Sequence, residues 1–144
     1  MRALLPVLLL LAACDRGTDA PAPPPQAITV ANPYHDALMA AEELPRFATI
    51  RAAIDRGGQP CRTVQGAAPQ GDWRNFKQWT VRCATGNARG GSYLYALFLA
   101  PDGTTQVRSC QSLAAVNAQA PELRIPACRA DLLNAPATST SPGN

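Results

Sequence analysis

Apolar residues change their spacing several times along the chain, and each change predicts an element. From Ala3 to Ala13 they are almost continuous, behind a short Met1-Arg2 start. Between Leu38 and Ile54 they recur at helical intervals, as Leu38, Ala41, Phe47, Ile50 and Ile54. Asn32-Pro33 has the form of an N-cap followed by proline at the first helical position. Pro45 interrupts the stripe and predicts a kink or two shorter helices. Gly57-Gly58 stands where a helix C-terminus favours glycine.

After Gly58 the period drops from helical to two. CRTV (61–64) reads as a short strand. In KQWTVRC (77–83), Trp79, Val81 and Cys83 fall on one face and Gln78, Thr80 and Arg82 on the other. SYLYALFLA (92–100) is apolar on both faces, as expected of a central strand. Pro101-Asp102-Gly103 is a turn: proline presets its φ and glycine accepts the left-handed position. TTQVRSC (104–110) returns as a strand. SLAAVNAQ (112–119) reads as a short helix capped by Ser112, and ADLL (130–133) as a further helical turn. The order predicts an α+β fold. An N-terminal helix, kinked or split at Pro45, packs on a small antiparallel meander sheet, followed by short C-terminal helical segments.

Composition narrows this to one globule with extended ends. The 144 residues are 47% hydrophobic and 16% charged, which suits a compact domain. Four of the 14 prolines lie between positions 21 and 25. The far end, NAPATSTSPGN, is small and polar. The expected division is residues 1–13 as a signal, 14–32 as a linker, 33–133 as one domain and 134–144 as a disordered tail. The net charge of +3 gathers into no basic stripe, so no nucleic-acid partner is expected.

The apolar run at the start is too short to cross a bilayer, which takes about 20 helical residues. It has the length of a secretory h-region. It ends in Leu11-Ala12-Ala13-Cys14, which resembles the lipobox of bacterial lipoproteins. The resemblance implies cleavage before Cys14, a diacylglyceryl group on its thiol and a domain facing the periplasm, partnered to the membrane through lipid. Two or three acyl chains hold a protein stably, each buried methylene contributing ~0.8 kcal/mol. Asp15 resembles the inner-membrane retention residue of enteric lipoproteins. The alternative is a plain cleaved signal beside an ordinary cysteine. The proline-rich linker favours an extended path of about 3.1 Å per residue, long enough to hold a domain off the bilayer.

With Cys14 assigned to the anchor, four cysteines remain: Cys61, Cys83, Cys110 and Cys128. An even set entering an oxidising compartment predicts two disulfides, and three pairings are open. Cys61–Cys83 with Cys110–Cys128 is favoured, because sequential partners tie neighbouring elements. No C-x-x-C occurs, which argues against a thioredoxin-like site and against zinc.

Candidate chemistry is concentrated in GDWRNFKQWTVRC (71–83). Trp73, Arg74, Phe76 and Lys77 form a possible binding surface, able to stack on a sugar or peptide or to meet a polyanion. The competing reading sends Trp79 into the core and packs Trp73 and Phe76 around the start of the strand. His35 is the only histidine and has no triad partner or H-E-x-x-H context. Glu42 and Glu43 are adjacent, so they face different sides of a helix. Nothing in the chain brings them to Asp55 or Asp72, and Asp102 is accounted for by its turn. Ser92 lacks a nucleophile elbow, and TGNARGGS (85–92) lacks the G-K-[ST] of a phosphate loop. No catalytic residue, metal site or cofactor is therefore assigned.

The expected role is a binding or accessory module for an envelope protein. In outline, the chain resembles small helix-plus-sheet lipoproteins that assist envelope assembly, and PepSY-like inhibitory modules. Two alternatives stand beside it. One is an enzyme or small-ligand carrier whose pocket, between helix and sheet, gathers Trp73, Arg74 and Lys77 with Glu43 or His35. The other is a hydrolase inhibitor presenting a rigid loop at 85–91 or 65–72.

Overall fold

A computed structural model describes residues 30–86 and 90–134. The signal segment, Cys14, Asp15, nearly all of the linker, the middle of the 85–91 loop and the tail lie outside the described residues. The fold is α+β. Helices α1 (Pro33–Ala40) and α2 (Glu43–Arg56) precede strands β1 (Thr63–Trp73), β2 (Phe76–Ala84), β3 (Ser92–Leu99) and β4 (Thr105–Ser109). Helix α3 (Cys110–Gln119) and two 3-10 turns, Pro121–Leu123 and Ala130–Leu133, complete it. The four strands form one antiparallel meander in the order β1-β2-β3-β4.

The helix pair follows local rules closely. Asn32 caps α1: its side-chain oxygen accepts from the His35 backbone N–H at 2.9 Å, with Pro33 at the first helical position. The Asn32 amide nitrogen, itself buried, donates to the Leu99 carbonyl at 2.9 Å and ties the helix start to β3. The break falls at Ala41-Glu42, ahead of Pro45, which sits in the first turn of α2. A proline is tolerated there because first-turn N–H groups have no intrahelical acceptor. At the other end, Gly58 takes φ +70°. The Gln59 N–H reaches the Ile54 carbonyl and the Gly58 N–H the Asp55 carbonyl, the bonding of a Schellman cap.

Both faces of the sheet are covered. On the first, Leu38, Phe47, Ile50, Ala53 and Ile54 of the helices pack against Trp79, Val81, Tyr95, Leu97, Leu99 and Val107. Trp79, Val81 and Cys83 are fully buried together, as the alternation in β2 predicts. The Trp79 indole N–H donates to His35 Nδ1 at 3.1 Å, so the single histidine has a structural partner. On the second face, Ala96, Phe98 and Leu113 form a smaller cluster with Trp73, Phe76, Ile125 and Cys128. The cover there is α3 and the largely irregular segment 120–134, the strap. The two-sided apolar pattern of β3 foreshadows this second layer.

Disulfides join Cys61 to Cys83 (S–S 2.11 Å) and Cys110 to Cys128 (S–S 2.00 Å). The first ties the α2–β1 connection to β2. The second ties the strap to the first residue of α3.

Three local expectations need correction. The strand expected at 61–64 runs from Thr63 to Trp73, so residues 65–72 are not a presented loop. Its glycines and proline disfavour a strand in isolation, but pairing with β2 imposes one. Pro69 is tolerated because β1 is an edge, and the ladder is irregular between Val64 and Gly66 and between Pro69 and Gly71. Helix α3 starts at Cys110 and is capped by Ser109, whose hydroxyl oxygen accepts from the Ser112 N–H at 3.0 Å. The strand expected at 104–110 accordingly stops at Ser109.

Burial raises the Tyr95 phenol above its ordinary range, and neighbouring Tyr93 adds to the rise. Its hydroxyl donates to the Pro60 carbonyl at 2.8 Å. A pKa raised in the folded state gives stability that is complete below the unfolded value of ~10 and is lost as pH climbs through the folded value. In an alkaline absorbance titration, Tyr95 is expected to ionise above the ordinary phenol range, with unfolding setting in as it does. Tyr95→Phe should remove the late step; persistence of that step would assign it elsewhere.

Candidate binding cleft

The β1–β2 hairpin closes through the pair Trp73 and Phe76, with Arg74 and Asn75 between them. Arg74 takes a left-handed φ of 57°. Its guanidinium carbon lies 4.8 Å from the centre of the Trp73 ring, within cation–π range. Trp73 stacks on Phe76 at 6.1 Å and meets Phe98 edge-on at 5.6 Å. The Trp73 indole N–H donates to the Leu123 carbonyl at 3.2 Å, which fixes the ring against the strap.

Lys77 is placed differently. It follows Phe76 along β2 and so projects from the opposite face. It forms a cross-strand ion pair with Asp72 at 2.8 Å. Trp73, Arg74 and Phe76 therefore form one surface, and Lys77 is not part of it. The carrier pocket imagined from Trp73, Arg74 and Lys77 with Glu43 or His35 is not assembled. Trp73 lies on the face away from α1 and α2, and His35 is engaged by Trp79.

The strap is held by side chains of β1 and β2. Gln70 donates to the Ala127 carbonyl at 2.5 Å and accepts from the Arg129 N–H at 3.1 Å. The Thr80 hydroxyl donates to Gln70 and accepts from the same Arg129 N–H. Gln78 donates to the Pro126 carbonyl at 3.0 Å. From α3, the Asn117 side chain donates to the Ile125 carbonyl at 2.7 Å and accepts from its N–H at 3.3 Å. A segment with no ladder of its own, half-buried to exposed, thus has several of its backbone groups answered one at a time by side chains.

This arrangement leaves a cleft of about 440 Å³ between β4, α3 and the hairpin tip. Trp73, Phe98, Leu113 and Ile125 make its apolar floor, with exposed Val116 on α3. Gln106 and Arg108 project into it from alternate positions of β4. A second depression of about 300 Å³ lies on the other face, between the helix pair and β3–β4, and includes Tyr34, Pro45, Arg56, Leu99 and Thr105. No carboxylate lines either space. Arg56, Arg74 and Arg108 have no carboxylate partner among the described residues.

Phe98, Gln106, Arg108, Leu113 and Ile125 are cleft residues that the sequence reading did not single out. Phe98 was covered by the two-faced pattern of β3, and Gln106 and Arg108 share one face of TTQVRSC. What joins them to Trp73 is the strap, which has no periodicity to read. Elsewhere, Asp102 is held below the usual carboxylate range by hydrogen bonds from Thr104, and Asp131 by Arg129. Both are exposed and local, and neither faces the cleft. Among the described residues, no three metal-ligating side chains come together.

Comparison of the chain with protein families, curated proteins and solved structures returned no match.

Removing the Gln70 side chain leaves the Ala127 carbonyl without that donor and Arg129 with a single acceptor. Gln70→Ala is expected to lower unfolding stability by about 0.5–1.5 kcal/mol in a urea titration, since water can reach the groups it leaves. A change near zero would mean that the strap is not held as described.

Proposed function

We propose that this protein is a lipid-anchored, periplasm-facing binding module. It acts as an accessory to an envelope protein, without catalytic activity or cofactor. The anchor is Cys14, acylated after cleavage of residues 1–13, and the proline-rich segment that follows carries the domain away from the bilayer. Asp15 favours retention in the inner membrane. Two disulfides in the described domain agree with folding in an oxidising compartment.

The observation that carries the binding role is the cleft. An apolar floor of Trp73, Phe98 and Leu113, flanked by Arg74 and Arg108, is the composition in which interface hot spots concentrate. The hairpin ring is held by the Leu123 carbonyl and overlaid by the Arg74 guanidinium without any partner, an arrangement that lowers the entropy lost on binding. A second reading, a carrier of a small acidic amphipath, draws on one measurement. The cleft volume, about 440 Å³, falls inside the range of roughly 300–1,000 Å³ usual for small-molecule sites.

A photo-crosslinking amino acid at Val116, in intact cells, tests this. The expected result is a discrete adduct with one envelope protein, absent when the crosslinker replaces Arg51 on the outer face of α2. Cys14→Ser should release the protein from the membrane and weaken the adduct. An adduct of small mass would favour the carrier. No adduct at Val116, or the same products from both positions, would overturn the binding role.

A further inference from the structure

Strand β4 closes one side of the sheet and pairs with β3 alone. The Ala100 N–H donates to the Thr104 carbonyl at 2.9 Å, while the Thr104 N–H turns to the Asp102 carboxylate, so this pair at the turn holds one inward-facing bond. Antiparallel pairs alternate between bonded and non-bonded. Counting along the register, Gln106 and Arg108 bond to β3, whereas Thr105 and Val107 point their N–H and C=O groups away from the sheet. Neither engages another group among the described residues. The opposite edge differs. The β1 ladder is irregular and carries Pro69, and Leu133 of the last turn packs on Gly66. Irregularity and proline are usual protections of an edge, whereas β4 is protected by its shortness and by the charge of Arg108.

The two depressions flank this unpaired edge on opposite faces, with Thr105 half-buried and Val107 buried along it. Thr105 lines one; Gln106 and Arg108 line the other. Successive side chains of an extended chain point to opposite faces. A strand added beside β4 would therefore direct one apolar side chain into each depression. Both spaces are apolar, both lack carboxylates, and each presents one arginine, Arg56 or Arg108, without an acidic partner among the described residues.

We propose that β4 is a docking edge for an extended segment of a partner polypeptide, with adjacent apolar residues flanked by acidic ones. Main-chain bonds to Thr105 and Val107 supply part of the affinity, and the two depressions and their arginines select the side chains. The proposal rests on the binding role above and names the class of partner.

The full-length protein in detergent is titrated with a capped peptide of valine-phenylalanine-valine flanked by glutamates, and with its lysine-flanked counterpart. Tryptophan fluorescence reads affinity, and amide hydrogen exchange reads the edge. The glutamate peptide is expected to bind roughly tenfold or more tightly than the lysine one and to slow exchange at Thr105 and Val107. Thr105→Pro removes one outward N–H without touching the ladder to β3, and should abolish binding. Arg108→Glu, on an exposed side chain, should reverse the charge preference even if the proline variant folds poorly. Equal affinity for both peptides, or unchanged exchange at the edge, overturns the proposal. If no peptide binds while Val116 still yields its adduct, the docking edge is wrong and the binding cleft stands. If both are absent, both fall.

Discussion

The backbone of the strap is the constraint on which the rest of the structure depends. Strands β2 and β3 bury side chains on both faces, so each face needs a cover. Helices cover one face and satisfy their own hydrogen bonds. The strap covers part of the other and cannot, because residues 124–129 adopt neither helix nor strand. Its carbonyls and amides are matched by Gln70, Trp73, Gln78, Thr80 and Asn117. These bonds are part-buried or exposed, each contributing about 0.5–1.5 kcal/mol, and together the polar positions on this sheet face hold the strap in place. The Cys110–Cys128 bridge confines the strap to the neighbourhood of α3, where those bonds form.

The cleft inherits its shape from this layer. Leu123 orients the Trp73 ring through its carbonyl, and Ile125 supplies part of the floor. The opposite face is held by different means: Asn32 joins α1 to Leu99, Trp79 is pinned by His35, and Cys61–Cys83 ties the α2–β1 connection to β2. Between the two covers, β4 is left with a free side.

Much of the fold was legible because its signals are local. Asn32-Pro33 and Gly57-Gly58 name the helix ends through backbone chemistry that a few residues decide. The alternation from Gln78 to Cys83 and the turn at Pro101-Asp102-Gly103 are equally short-range. The cysteine pairing followed because each bridge joins neighbouring elements. Pro45 signals a helix boundary, but the break lies ahead of it, at Ala41-Glu42, since proline suits the first turn of the second helix. β1 was mostly missed, because Gly66, Pro69 and Gly71 adopt a strand only through their pairing with β2. The candidate surface was half legible. Aromatic and basic residues in 71–83 were visible, but strand parity sends Lys77 to the face opposite Phe76. The partners of Trp73 come from β3, β4, α3 and the strap, and no pattern within the sequence links them.

Residue-resolved hydrogen exchange on the full-length protein tests the central claim, that the strap is an integral second cover for the sheet and the wall of the cleft. The Ile125 and Arg129 amides should exchange in the same cooperative unit as the core amides of β2 and β3, with similar dependence on denaturant. Exchange of these two amides at the rate of an unfolded chain, while β2 and β3 stay protected, would contradict it.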